Sequence, residues 1–317
     1  MKFDILVNHY FEPVCILERL LESIEKQEDI DKNSFQVIIY DDGGACPINK
    51  KIFDKYSYNI TYAILNHGGV CKTRNALLND SKADYVMFCD SDDCFIKANG
   101  LALIFKAIED VHPNVIGSPY YVENKINDKY SYSILERDNL RVHGKAFKRD
   151  FLVSNNIAFP NELEYSGDMY FLWLALNVDP FIVWLKKAFY VWKYNPESVT
   201  RKNKNHHIDS YDKVIKNYDL LITNLEKRMQ YDLYERAIVA FIQMLYLNIN
   251  DKTLSKYDNN SLKKMKDLTK EYAMKYSNTY LCADEKLKEI MLSKAINNGV
   301  TVDNISNWIA QIKMGGE

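Results

Sequence analysis

Three carboxylates fall within four residues, Asp90-Ser91-Asp92-Asp93, directly after the apolar run Tyr85 to Cys89. A run that short reads as a buried strand, and open α/β sheets gather their ligands at the carboxyl ends of such strands. Crowded carboxylates repel, and burial raises their pKa values. A divalent cation relieves that cost. Hard oxygen donors suit Mg²⁺ or Mn²⁺, which in turn bind phosphate oxygens. A solvated Asp-rich turn has the same composition, so the neighbouring segments decide between the two.

Those segments repeat one pattern. Apolar runs at Phe3 to Val7, Phe35 to Tyr40 and Ile60 to Leu65 read as strands, and each ends in polar or glycine-rich residues. Helical periodicity follows at Pro13 to Gln27, Cys71 to Asn79 and Asn99 to Asp110. Strand–helix alternation with short links predicts a mostly parallel sheet covered on both faces. Beyond Pro113, Val115 to Val122 and Tyr130 to Leu135 read as strands, Lys145 to Asn155 and Asp168 to Asn177 as helices. Phe181 to Leu185 and Phe189 to Tyr194 read as a hairpin. From about residue 208 only helical stretches remain, near 209–228, 231–249, 260–276, 284–297 and 303–313. The polar link Arg201 to Asn205 marks a boundary near 205, giving an α/β domain (1–205, with halves 1–110 and 111–205) and a helical domain (206–317).

Composition narrows the class. With 317 residues and 47% hydrophobic content the chain can bury a real core. A formal net charge of −2 leaves no global basic field for nucleic acid or membrane. The six cysteines include no C-x-x-C pair, which speaks against a zinc knuckle or a disulfide framework. No apolar run approaches the ~20 residues a spanning helix needs. With no signal-like leader, a cytoplasmic location is expected.

Each early strand ends in groups suited to a ligand. Asp41 and Asp42 can accept hydrogen bonds from a base edge or a ribose, and Gly43-Gly44 lets backbone approach closely. Gly68-Gly69 before a helix suits a phosphate. Arg74 suits either a phosphate or a neighbouring carboxylate, and Asn75 can fix the loop by hydrogen bonds. Trp173, Trp184 and Trp192 lie in apolar segments and read as core.

Taken in order, Asp4 to Val7, Leu20 to Ile24, Val37 to Gly43, Asn66 to Gly69 with Arg74-Asn75, and Asp90 to Asp93 resemble the motifs of family 2 glycosyltransferases. The resemblance continues through His143 to Arg149, Gly167-Asp168, Tyr190 to Tyr194 and Ser198 to Arg201, covering about residues 1–205. It implies a GT-A fold, a Rossmann-like nucleotide-binding sheet, here followed by an all-α C-terminal subdomain. It implies a metal-dependent, inverting transfer from a nucleotide-sugar, commonly a UDP-sugar, with Mn²⁺ or Mg²⁺. Donor contacts would come from Asp42 at the nucleobase with Asp41 nearby, Asp90 at the ribose, Asp92 in the DXD motif, and Arg74, Lys72 and Arg201 near the diphosphate. Metal ligands would be Asp92 and Asp93, with His207 as a further candidate beside His206. Asp168 would be the general base, at the positive end of an apolar helix. His143 and Lys145 are acceptor-side candidates. Two departures stand out: Gly167 replaces an acidic residue usual before the base, and Asn8-His9-Tyr10 ends the first strand.

The acceptor is open at this level. A glycan comes first, a modified base in DNA second, a protein side chain third. One of Tyr120, Tyr121 or Tyr165 is expected to line its cleft. The helical region suits packing, an oligomer interface or an acceptor lobe. A sugar-phosphate nucleotidyltransferase is the alternative enzyme, but it calls for a glycine- and lysine-rich loop where Asn8 to Pro13 stands. A non-catalytic sugar-nucleotide-binding module predicts a broken acidic cluster.

Overall fold

The four early apolar runs lie side by side as parallel strands, β1 (Phe3–His9), β2 (Phe35–Asp42), β3 (Asn59–Leu65) and β4 (Tyr85–Asp90), in the order β4-β1-β2-β3. This computed structural model describes residues 2–44, 48–163, 167–196, 206–251, 254, 258–293 and 299–314, with the backbone alone at 206–210. Register places Asn8 opposite both Asp90 and Tyr40, and His9 opposite Asp41. The acidic strand ends therefore share one edge of the sheet.

Helices α1 (Val14–Glu25), α2 (Val70–Asp80) and α3 (Gly100–Val111) make the crossovers. Leu17, Leu20, Leu21 and Ile24 recur at helical spacing on α1 and are all buried. Each such side chain contributes about 1.5–3 kcal/mol by leaving water. The two sheet faces are visible within β4. Met87 and Cys89 join the core that contains α1 and α3. Phe88 points the other way, edge-on to Phe159 and Phe171 at 5.1 and 5.6 Å.

The middle of the chain departs from the expected pattern. It forms β5 (Cys94–Phe95), β6 (Val115–Gly117), β7 (Tyr120–Ile126), β8 (Lys129–Leu135), β9 (Lys145–Lys148), α4 (Arg149–Ser154), α5 (Gly167–Asn177), β10 (Ile182–Trp184) and β11 (Tyr190–Trp192). The first sheet is completed as β10-β6-β9-β4-β1-β2-β3, with β9 antiparallel to both neighbours. A second sheet runs β5-β11-β7-β8.

Three expectations are corrected here. Val115 to Val122 is two strands in different sheets, because the chain turns at Ser118-Pro119, where proline offers no N–H to a ladder. Lys145 to Lys148 is a strand rather than the start of a helix, since it fills the gap between β4 and β6 and is covered on both faces. Phe181 to Leu185 and Phe189 to Tyr194 do not pair with each other. β10 extends the large sheet beside β6, while β11 joins β5 and β7.

The chain divides into two compact units, Met1–Ser198 and Val199–Glu317. The second contains α6 (His206–Lys227), α7 (Tyr231–Ile249), α8 (Asn259–Cys282), α9 (Glu285–Ser293) and α10 (Val302–Lys313). Its core centres on Phe241, which stacks on Tyr218 at 4.9 Å and meets Tyr276 edge-on at 5.8 Å. Among the described residues no helix is long and apolar enough to cross a membrane.

Candidate active site

Arg74, on α2, gathers the site. Gly69 starts that helix with φ of +87°, a conformation that favours glycine, and this turns the helix onto the acidic edge. The Arg74 side chain is only 4% exposed. Its Nε donates to Asn8 Oδ1 at 3.1 Å, its Nη2 to Asp90 Oδ1 at 2.7 Å and its Nη1 to Asp168 Oδ1. Burial disfavours the cation, but Asp168 and Asp90 outweigh burial and hold the guanidinium protonated. The planar fork is what lets one residue serve several acceptors.

Asp168 opens α5, and its Oδ2 accepts from the Val142 N–H at 3.2 Å. That N–H is placed by a buried lysine. Lys145 Nζ donates to the carbonyls of Arg141 at 2.7 Å and His143 at 3.3 Å. Burial lowers the Lys145 pKa to about 8 despite Asp138 and Asp168. Gly167 also has a steric reason. A Cβ there would lie 2.4 Å from Cys71 Sγ and 3.2 Å from Pro160 Cδ, leaving no room for the acidic residue expected at this place. Asn75 holds the segment around Phe159 rather than the Gly68-Gly69 loop, donating to Phe159 O at 2.8 Å and accepting from Phe159 N at 2.9 Å.

The acidic cluster splits by environment. Burial pushes the Asp90 carboxyl up, but Arg74, His143 and Asn8 together hold it below the usual carboxylate range. Burial and Asp90 raise Asp92 to about 6, against a hydrogen bond from Asn195 Nδ2 at 2.8 Å. Asp93 is fully buried. It accepts from Tyr190 OH at 2.6 Å and Lys193 N at 2.9 Å, and burial with Asp92 and Asp90 raises its pKa well above the usual value. His143 is stacked between Tyr190 and Trp192, with centroids at 5.6 and 5.5 Å. Its Nδ1 lies 3.5 Å from Asp93 Oδ2 and, among the described residues, has no hydrogen-bond partner.

Asp90, Asp93 and His143 present ligand atoms all within 4.8 Å of one another. The expected metal set was Asp92, Asp93 and His207. Only Asp93 is common to both. The side chain of His207 lies outside the described residues, as do Arg201, Lys202 and Tyr165. The donor chemistry fits a divalent cation: two carboxylates and an imidazole nitrogen with no hydrogen-bond partner among the described residues, on a His143 whose pKa burial lowers.

At the other end of the edge, Asp41 and Asp42 are already engaged. Asp41 accepts from Gly44 N at 3.0 Å and Tyr62 OH at 2.8 Å. Asp42 accepts from Gly68 N at 2.7 Å and Gly69 N at 2.9 Å, with His67 Nδ1 at 3.1 Å. Asp42 therefore shapes the loop that carries His67, and Asp41 the turn at Gly43-Gly44. Lys72 is exposed on the first turn of α2. The exposed ring of Tyr10 stacks on His67 at 4.8 Å, a platform that the residue pattern did not single out. Its one sequence signal was the pair of aromatics Tyr10-Phe11 just past a strand end. Asn8, Val142 and Asn195 were also missed, because their roles arise from contacts between distant segments.

The model of glycosyl transferase family 2 matches residues 4–162. The chain belongs to that family. Relatives in two Staphylococcus aureus strains, MW2 and Mu50, are poly(ribitol-phosphate) β-N-acetylglucosaminyltransferases, named TarS. Each is 28% identical over 211 residues, 60% of this chain. The chain spans 35% of the length of these curated relatives. Among solved structures, S. aureus TarS superposes with a TM-score of 0.64 at 20% identity, covering 99% of this chain and 53% of that one. The TarS 1–349 fragment in complex with UDP-GlcNAc gives 0.63 at 21% identity, covering 100% and 93%. These superpositions establish a GT-A-like fold for this family 2 chain.

Proposed function

We propose that this chain is a metal-dependent inverting glycosyltransferase that moves a sugar from a UDP-sugar to a hydroxyl of a polyol-phosphate glycan. The observation that carries the reading is the pairing of Asp168 and Asp90 on the single guanidinium of Arg74. It sets a 19%-exposed carboxylate beside the acidic edge where family 2 members bind their donor. UDP-GlcNAc is the first donor to test, because it is bound in the TarS fragment. Poly(ribitol-phosphate) is the acceptor class that the relatives' name supplies.

In a single displacement the acceptor oxygen attacks the anomeric carbon and its proton passes to Asp168. The bond to the diphosphate oxygen breaks, and UDP leaves with the electron pair. Arg74 and the Val142 N–H hold Asp168 in one orientation, which lowers the entropic cost of the approach. Tyr10 and His67 offer a face on which a base can stack. A bound divalent cation supplies positive charge to the leaving diphosphate, with Asp92, Asp90, Asp93 and His143 as the residues to hold it. Arg201 and Lys202 are proposed as further partners of the diphosphate.

The deciding experiment is a panel of nucleotide-sugars incubated with the protein, with and without Mn²⁺, scored for slow donor hydrolysis. Metal-dependent release of UDP from one sugar nucleotide supports the reading. No turnover of any donor under any metal would end it.

A further inference from the structure

The four-stranded sheet has a second face. Tyr120 and Trp192 point towards His143, at 5.5 Å in both cases. Side chains alternate along a strand, so Tyr121 points away from that site. There it lines an open cavity of about 460 Å³ with Ile134, Lys97, Lys186, Lys187 and Glu136. The three lysines are exposed, and among the described residues none of them forms an ion pair. In a chain of formal net charge −2 this is a local basic site with one opposing carboxylate among its lining residues.

An exposed aromatic row leads out of the cavity. Ile134, Tyr132 and Tyr130 alternate along one face of β8 and are 47%, 51% and 58% exposed. Tyr132 meets Tyr121 at 6.4 Å and Tyr130 meets Tyr194 at 6.5 Å. The next residue, Asn195, donates to Asp92. The row thus runs about 13 Å along the strand, from the lysines towards the acidic edge.

We infer that this surface holds the acceptor chain, a polyol-phosphate polymer, at a distance from the transferring hydroxyl. Its phosphates lie among Lys97, Lys186 and Lys187, and its polyol units lie along the tyrosines. A repeat further along the same chain reaches Asp168. Lysines grip phosphate as point charges, without demanding one geometry, which suits a flexible repeating ligand. This rests on the acceptor class proposed above and goes beyond it by placing a second, remote subsite.

The test uses the full chain with Lys97→Glu, Lys186→Glu and Lys187→Glu combined, and a milder Gln series to guard against misfolding. Ribitol-phosphate polymer and single ribitol phosphate are compared as acceptors, with UDP-GlcNAc as donor. KM for the polymer should rise about tenfold, while kcat, KM for the single repeat and slow UDP-GlcNAc hydrolysis stay unchanged. An unchanged polymer KM overturns the inference, as does an equal rise for the single repeat. Polymer binding is also measured directly by anisotropy. A wild type that hydrolyses UDP-GlcNAc but binds no polymer overturns the subsite and leaves the donor reading intact. An oligodeoxynucleotide of matched charge that binds as tightly overturns the polyol assignment.

Discussion

Arg74 and Asp168, 94 residues apart in the chain, form a part-buried ion pair whose guanidinium also holds Asp90. The pairing fixes the distance between the strand end that is proposed to bind donor and the helix end that is proposed to carry the base. Arg74→Gln leaves two carboxylates without their counter-charge. We expect a stability loss of about 3 kcal/mol in denaturant unfolding and transfer reduced at least about a hundredfold. Arg74→Lys should recover part of the stability but little of the rate, since an ammonium cannot serve the same fork.

Asp168→Asn keeps the shape of the side chain and removes its capacity to take a proton. UDP-sugar affinity by calorimetry should stay within about twofold, and transfer should fall by about 10²–10⁴. Undiminished transfer would remove Asp168 from the base role.

Asp92 and Asp93 are adjacent and both raised by burial, but their hydrogen-bond partners differ, and so should the effect of each on stability. Asp93 accepts from Tyr190 and Lys193 in a fully buried place, so Asp93→Asn replaces one of its two accepting oxygens by an NH₂ donor and should cost about 1–3 kcal/mol. Asp92→Asn removes a carboxylate that burial and Asp90 already disfavour. It should leave stability at neutral pH unchanged or raised, and abolish the Mn²⁺ dependence of UDP binding. Thermal unfolding separates the two, and a metal titration should show weakened cation binding in both.

Gly167 is excluded from carrying a side chain by Cys71. Gly167→Ala should therefore destabilise by about 1–2 kcal/mol through overpacking. Adding Cys71→Ala should restore much of that loss, a coupling that a double-mutant cycle reads directly. Simple additivity would show that the contact relaxes at no cost.

Lys145 sets a pH signature. Its folded-state pKa, about 8, lies below its ordinary value of 10.5. The unfolded chain therefore holds more protons between those values. The contribution of this group rises with pH through that window, is fully present above 10.5 and is lost as pH falls through about 8. Lys145→Met should flatten this part of the stability–pH profile. It should also slow transfer with little effect on donor binding, because the Val142 N–H loses its anchor.

Much was legible in the residue pattern because it depends on short-range periodicity. The four parallel strands, their crossovers and the later helices all follow apolar spacing that each segment shows by itself. The middle third was not. Lys145 to Lys148 is too short to carry a period, and its strand state comes from the vacancy between β4 and β6. β10 and β11 look like a hairpin locally and are claimed by different sheets.

By its sequence alone this protein is an alternating α/β chain with acidic strand ends, a candidate base at a helix start and a helical continuation. Those are properties of neighbouring residues, set by side-chain polarity and spacing. Only the tertiary structure decided how each carboxylate is surrounded. Arg74 lowers Asp90, burial raises Asp92 and Asp93, and His143 reaches the cluster from the turn before β9. The charge state of a carboxylate depends on the groups within a few ångströms of it, and most of these come from distant parts of the chain.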